Sequence, residues 1–151
     1  MINPPKTSYE WNKLLELIKE GSNDEEVLSA MQHGNIDWIG GVANIFVNNL
    51  LNAVDYRLQK GLKTFQQSFN YVGNNEGVFI SNIRNFKNEI KFLYKLVSLK
   101  CIPEEERVKY QKLVQNNADK IQENLKKASA IDKTGRILYI IEKNPINNIG
   151  E

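Results

Sequence analysis

A long apolar repeat near the middle of the chain constrains the fold more than any other feature of the sequence. Apolar residues recur there in nine steps over 33 positions, so the mean step is 33/9 residues. The ten residues are Ile39, Val42, Phe46, Leu50, Val54, Leu58, Leu62, Phe65, Phe69 and Val72. An α-helix repeats every 3.6 residues and a strand every two. The repeat therefore predicts a helix over about 39–72, in which Gly61 marks a kink or a close helix contact.

Two further long helices are predicted after this one. The first, over 76–100, has one apolar stripe made of Phe79, Ile83, Phe86, Ile90, Leu93 and Val97. The second, over about 103–130, opens with Pro103 and three glutamates, which suit the first turn of a helix and the positive end of its dipole. Its apolar stripe is narrow and consists of Val114, Ala118, Ile121, Leu125 and Ala128. A narrow stripe of this kind suits contact with one or two partner helices.

Two short helices are predicted before position 34. Thr7 and Glu10 have capping-box spacing, and Gly21 supplies a left-handed stop for the first helix. Ser22 and Glu25 repeat the capping-box spacing. The second helix is expected to close at 33–34, where His33 precedes a glycine.

A short apolar run lies near the C-terminal end of the sequence. Residues 137–141 are all apolar, and so short a run leaves helix and strand open for 136–142. A lone strand would lack a pairing partner, so a short helix or a docked tail is favoured. The expected fold is all-α: a helical bundle of three long helices, with two short N-terminal helices and a short C-terminal segment. It is predicted to form a single domain over 1–151, with the 1–34 helical pair packed on it and 132–151 as a tail.

The composition removes most catalytic and metal-binding classes. The 151 residues include one cysteine and one histidine, too few for an internal disulfide or for a zinc site with several Cys and His ligands. No Glu-x-x-His motif occurs, so the di-iron site typical of some helical bundles is not supported. The sequence also lacks a P-loop, a Gly-x-Gly-x-x-Gly and a Gly-x-Ser-x-Gly motif. These observations predict a protein that is not an enzyme and needs no cofactor or metal.

His33 and Cys101 are the two side chains that could still carry catalysis. His33 stands at a predicted helix end, where a histidine more often interacts with the last carbonyls than acts as a general base. Cys101 follows the most apolar helix and is expected to be a buried structural thiol. Neither is therefore assigned a catalytic role.

The longest uncharged run, 38–54, is close to the length of a membrane span. Four asparagines interrupt it, and each would be costly in hydrocarbon, so a transmembrane helix is rejected. The N-terminal residues have no apolar core of a secretory signal. The sequence thus predicts a cytoplasmic protein that does not enter a membrane.

The charge is distributed unevenly along the chain. Residues 1–50 carry 3 basic and 7 acidic side chains, whereas residues 51–151 carry 17 and 11. A candidate basic face follows the fourth helix, predicted over 76–100. It extends onto the third helix, predicted over 39–72, if the two are antiparallel neighbours. This basic face comprises Arg57, Lys60, Lys63, Arg84, Lys87, Lys91 and Lys95. Such a face could follow phosphates or an acidic partner, but an ordinary solvated helix face gives the same pattern. A helix-turn-helix over 25–46 is rejected because its second helix would be acidic and would lack basic residues.

A nearly uncharged polar face on the third helix provides a second candidate surface. It consists of Asn44, Asn48, Asn52, Asp55 and Gln59, whereas solvated helix faces are usually rich in Lys and Glu, and Asn44, Asn48 and Asn52 are its candidate interface residues. Contact with another helix or subunit would explain this face, as would the codon bias of an AT-rich genome. The leading hypothesis is a helical-bundle protein that binds another protein or self-associates, in which residues 1–50 (net charge −4) and residues 51–151 (net charge +6) complement each other. Nucleic-acid binding through the basic face is the alternative.

Overall fold

The computed structural model describes residues 2–21, 23–34, 43–67, 76–100, 102–128, 135–143, 145–147 and 149, without the side chains of 43–44, 64–67, 76 and 128. Over these residues the chain is all-α, and no strand occurs among them. Six helices follow in order in this part of the chain: α1 (Ser8–Glu20), α2 (Asp24–Gln32), α3 (Ala43–Gln67), α4 (Glu76–Val97), α5 (Glu104–Ala128) and α6 (Arg136–Lys143). The predicted all-α class is therefore confirmed, and the arrangement of the three long helices as a bundle stays a prediction.

The residues divide into two compact units. Unit 1 comprises Met1–Arg57 and Lys95–Gln111, and unit 2 comprises Leu58–Tyr94 and Lys112–Glu151. The division falls inside α3, α4 and α5. That the whole chain forms a single domain stays a prediction.

Local capping explains where the first helix begins and ends. The hydroxyl of Thr7 accepts a hydrogen bond from the Glu10 N–H at 3.3 Å. Gly21 takes a left-handed conformation (φ 78°) and donates its N–H to Leu17 O, as the sequence predicts. The N-cap of α2 is Asn23, which makes no side-chain cap bond. Ser22, the residue expected to cap, lies outside the described residues.

In unit 1 the two short helices pack against each other and against the start of α3. Trp11 is fully buried, and its ring meets that of Phe46 edge-on, with the centroids 5.4 Å apart. Gly34 fits closely here, since a Cβ on it would lie 2.7 Å from Trp11 Cζ2 and 2.8 Å from Pro5 Cγ. A glycine at this position thus permits the close approach that seats Trp11.

The long helices differ in detail from the sequence prediction. Helix α4 ends at Val97, short of the expected 100. The reason is local: Ser98 and Leu99 donate their N–H groups to carbonyls three residues back rather than four, which tightens and ends the helix. Predicted helical residues 39–42, 68–72 and 129–130 lie outside the described residues, as do Trp38, the Gly40–Gly41 pair and Cys101.

In unit 2 the C-terminal segment is a helix followed by a docked turn. The short apolar run 137–141 lies in α6, so the open choice between helix and strand resolves to helix. Ile137, Ile140 and Ile141 are buried on one face of it, and Ile146 and Ile149 are buried beyond it. The buried Gln122 of α5 accepts a hydrogen bond from the Ile146 N–H at 3.0 Å. This bond ties the C-terminal segment to α5.

Candidate functional site

Helix α3 buries a broad face inside unit 1 and exposes the opposite one. The predicted stripe of Phe46, Leu50 and Val54 is buried, and Val47, Leu51 and Ala53 are buried beside it. The exposed residues at this end of the helix are Ile45, Asn48, Asn49, Asn52, Asp55 and Tyr56. The buried face is thus wider than the apolar repeat predicts, and the exposed face is correspondingly narrow.

Four of these exposed residues form one line along the helix, which we call the outer stripe: Ile45, Asn49, Asn52 and Tyr56. Their successive spacings are four, three and four residues. With about 100° of rotation per residue, the first and last members point within roughly 20° of each other. At a rise of about 1.5 Å per residue, they lie about 16 Å apart along the helix axis.

The outer stripe places large apolar side chains in solvent. Ile45 is 65% exposed and Tyr56 is 53% exposed. Two other exposed tyrosines are each covered by a lysine: Lys13 Nζ lies 5.1 Å from the Tyr9 ring and Lys143 Nζ lies 5.6 Å from the Tyr139 ring. Tyr56 has no cation over its ring and no hydrogen bond within the described residues. The exposed part of its ring is therefore available to a binding partner.

The outer stripe also carries no charge. No Asp, Glu, Lys or Arg occurs from 38 to 54, and the first charged group along the exposed face is Asp55. Asn48 adds a further exposed amide beside the stripe. Solvent-facing helix surfaces are normally rich in charged residues, so this patch differs from an ordinary solvated face.

Arg57 is not exposed, because its side chain is paired and hydrogen-bonded inside unit 1. It is 6% exposed, and its two terminal nitrogens donate to the two carboxylate oxygens of Asp24, each at 2.9 Å. Its Nη1 also donates to the backbone carbonyl of Ile18 at 3.2 Å. Arg57 thus joins α1, the start of α2 and α3. The prediction that it belongs to an exposed basic face is wrong, because its charge is paired and buried.

The ion pair of Arg57 with Asp24, which we call the arginine clasp, helps to hold α3 in one orientation. A bidentate arginine–carboxylate pair is geometrically specific, so it restricts the rotation of α3 about its own axis. With Arg57 directed toward α1 and α2, its sequence neighbour Tyr56 is exposed. The buried ion pair and the exposed outer stripe are therefore two consequences of one helix orientation.

The other predicted basic residues are at least partly exposed. Lys60, Lys63 and Arg84 of unit 2 and Lys95 of unit 1 are exposed, whereas Lys87 and Lys91 of unit 2 are half-buried. Arg84 and Lys87 form no ion pair within the described part of the chain.

One contact in unit 2 bears on the expected pairing of α3 with α4. A Cβ at Gly61 would lie 3.6 Å from Phe86 Cε2 and 3.7 Å from Glu89 Cγ, so the two helices are neighbours there. Both distances are ordinary contact distances, so α3 and α4 are in contact at Gly61 but the contact does not require a glycine.

The predicted Asn surface is only partly described. Asn48 and Asn52 are exposed, whereas the side chain of Asn44 lies outside the described residues. Sequence reasoning missed Ile45, Asn49 and Tyr56. The signal for the two apolar residues was present, because both lie off the apolar repeat of the same helix. Exposure of that face could not be read from the repeat alone.

His33 occupies the capping position at the end of α2. Its Nδ1 donates to the Ser29 carbonyl at 2.9 Å. Among the described residues, no group of three His, Cys, Asp or Glu side chains could hold a metal ion. None of the described helices combines the length and apolar character that a membrane crossing requires.

Comparison with protein-family models, with curated proteins and with solved structures finds no match to this chain.

Proposed function

We propose that this chain is a non-enzymatic, cytoplasmic helical protein that acts by binding another protein, and that the outer stripe with Asn48 is its binding surface. The observation that carries the proposal is the exposure of Ile45 (65%) and Tyr56 (53%) on an uncharged helix face. Single exposed apolar residues are common on protein surfaces. Here two of them are aligned on one rigid helix, with amide side chains between them.

The chemistry of the outer stripe suits a protein partner. Interface cores are depleted of charged residues and enriched in tyrosine, which offers a large apolar ring and one polar group. Asparagine side chains donate and accept hydrogen bonds, so they can pair with peptide groups or with other amides. A nucleic acid would need positive charge at this surface, and the outer stripe has none.

The three long helices α3, α4 and α5 are proposed to pack as the bundle that carries this face. Two features support the arrangement: the contact of Gly61 with α4, and the buried stripe of α5 formed by Val114, Ala118, Ile121 and Leu125. In a bundle, α3 would present the outer stripe from a rigid element, which lowers the entropic cost of binding.

Affinity capture from the native cell tests the proposed function. The full chain is used as bait beside Tyr56→Lys, with Tyr9→Lys as the matched control at an exposed tyrosine of the same unit. A second, differently tagged copy of the chain is expressed in the same cells. We expect the wild-type and Tyr9→Lys baits to retain the same partner protein, whether that partner is another protein or the second copy. Tyr56→Lys should lose it. Equal retention by all three baits would contradict the proposal.

Nucleic-acid binding is the second candidate function, and it is favoured by Arg84 and Lys87, which have no ion pair in the described part of unit 2. Their charges are available to a phosphate backbone. The test is a gel-shift assay at low salt with the wild type and an Arg84→Glu/Lys87→Glu variant. Binding that the variant loses would support this function. Equal behaviour of the two proteins would remove it.

A further inference from the structure

We infer that the outer stripe pairs with the outer stripe of a second copy of the chain, the two α3 helices running antiparallel, with Ile45 against the partner's Tyr56. This inference rests on the proposed function and specifies its partner. The evidence is the symmetry of the exposed residues themselves.

In residue class, the outer stripe has the same order in both chain directions. The midpoint between Ile45 and Tyr56 falls between residues 50 and 51, and so does the midpoint between Asn49 and Asn52. The order along the stripe is thus apolar, amide, amide, apolar about one centre. A two-fold axis through that centre would place each apolar residue against an apolar residue and each amide against an amide.

The spacing is also suited to pairing of two helices. Steps of four, three and four residues are those of successive core positions in a heptad, the pattern by which two helices keep one seam in contact. Two-fold pairing of this kind uses the same patch on both copies, which is the commonest symmetry of protein dimers. An unrelated partner would need an independently matched surface, whereas a second copy supplies the match automatically.

The chemistry of the facing residues is compatible with this pairing. Ile45 and Tyr56 are both largely exposed and would cover each other's apolar surface. Asn49 would meet the partner's Asn52, and amide groups can bond to one another because each both donates and accepts. A polar asparagine at a core position of paired helices also specifies their register.

Electrostatics favours the antiparallel direction over the parallel one. In parallel pairing the two exposed Asp55 carboxylates would lie at the same level, beside a stripe with no positive charge to offset them. In antiparallel pairing they lie about 13 Å apart along the axis, from a rise of about 1.5 Å per residue. This exceeds the screening length of about 8 Å at physiological ionic strength.

Analytical ultracentrifugation of the full chain tests the association. We expect a monomer–dimer equilibrium for the wild type, and association weakened by about tenfold or more when one of the two apolar residues of the outer stripe becomes a charge, as in Tyr56→Lys or Ile45→Lys. Tyr9→Lys, at an exposed tyrosine outside the outer stripe, should associate like the wild type. The altered side chains are solvent-exposed, so circular dichroism should show folded protein in every case. A wild type that stays monomeric at millimolar concentration would overturn the inference.

Disulfide cross-linking tests the direction, in a Cys101→Ser background. A mixture of Ile45→Cys chains and Tyr56→Cys chains should give the mixed cross-linked dimer, in which the opposite end keeps the native Ile45–Tyr56 contact. Each variant alone should cross-link far less, because its two cysteines would lie about 16 Å apart along the axis. Efficient cross-linking of Ile45→Cys with itself would show parallel pairing and overturn the inference.

The two proposals fail in distinguishable ways. If the chain is monomeric but the capture experiment yields a different protein that Tyr56→Lys no longer binds, the inference fails and the proposed function stands. If the chain is monomeric and the outer-stripe variants change nothing in the capture, both fail.

Discussion

At Arg57 a charged side chain lies inside unit 1, and its environment explains how this is tolerated. Both carboxylate oxygens of Asp24 and the carbonyl of Ile18 accept hydrogen bonds from its two terminal nitrogens. Burial of a charge is costly unless the charge is paired and hydrogen-bonded, and Arg57 meets both conditions. Its side chain is 7% exposed and that of Asp24 is 26% exposed, so water reaches one end of the pair.

Replacing Arg57 with Ala should therefore destabilise the protein strongly. The change leaves the carboxylate of Asp24 and the carbonyl of Ile18 without their partner, and we expect a loss of about 2–3 kcal/mol in the free energy of unfolding, since loss of one partner from a fully buried pair costs about 3–5 kcal/mol. Urea denaturation followed by circular dichroism measures the effect. Arg84→Ala, at an exposed arginine, is the control and should change stability by less than about 0.5 kcal/mol. Equal small effects of both changes would show that the clasp contributes nothing.

At the scale of the helices, most boundaries follow from local signals. The Thr7 cap and the Gly21 stop act within one turn of the chain, so they are readable in the sequence and are seen in the structure. The end of α4 at Val97 and the N-cap of α2 at Asn23 differ from the prediction. Such boundaries depend on hydrogen-bond choices that differ little in free energy, and helix ends are accordingly the least predictable part of an element.

Gly61 allows the contact between α3 and α4 to be tested by a single substitution. A Cβ there would meet Phe86 and Glu89 at ordinary contact distances of 3.6 and 3.7 Å, so it fits without displacing either. Alanine also has a higher helix propensity than glycine, by about 1 kcal/mol. We expect Gly61→Ala to raise the free energy of unfolding by about 0.5–1 kcal/mol, measured as a higher urea midpoint. A lower midpoint would mean that α4 lies closer to α3 than the structure places it.

The hydrogen bond that attaches the C-terminal segment to α5 predicts a substitution that lowers the free energy of unfolding, unlike Gly61→Ala. Gln122 is 6% exposed, and Gln122→Leu would leave the buried N–H of Ile146 without an acceptor. An unsatisfied buried donor costs about 1–3 kcal/mol, and we expect a loss of that size in stability. Amide hydrogen exchange should accelerate first at Ile146. Gln115→Leu is the milder control, because its bond to Asn147 O is only part-buried and water can replace it.

At the scale of the whole molecule, the net charge of +2 indicates less about binding partners than the distribution of charged and uncharged surfaces does. The positive charges of Lys63 and Arg84 are exposed in unit 2, whereas the exposed outer stripe of unit 1 is uncharged. These surfaces suit different partners, since a phosphate backbone is bound by positive charge and a protein surface by apolar and amide groups.

Salt dependence separates the two kinds of association. We expect the self-association constant to change little between low and high salt, because the proposed contact is apolar and amide in character. Sedimentation at a series of sodium chloride concentrations measures it. A steep decrease with salt would instead assign self-association to the charged surfaces, as in the pairing of the acidic 1–50 and basic 51–151 regions that the sequence suggests. Nucleic-acid binding, if present, should weaken steeply over the same range.

Part of the candidate site was accessible from the sequence and part was not. The lack of charge around Asn48 and Asn52 is visible in the residue order, and it indicated a surface of interest. Ile45 and Tyr56 did not stand out, because apolar residues off a repeat become informative only when that face is known to be exposed. Arg57 was placed on the wrong surface for the same reason: a sequence shows that a residue is charged and does not show what covers it.

By itself the sequence determined the all-α character of the chain and the approximate extent of its helices. Periodicity, caps and glycine stops act between residues a few positions apart, so they are written in the local order of the chain. Only the tertiary structure decided that Arg57 is buried against α1 and α2 and that Ile45 and Tyr56 are exposed. The burial of a helix face depends on which distant elements pack against it, and that contact is formed between residues as far apart as Asp24 and Arg57.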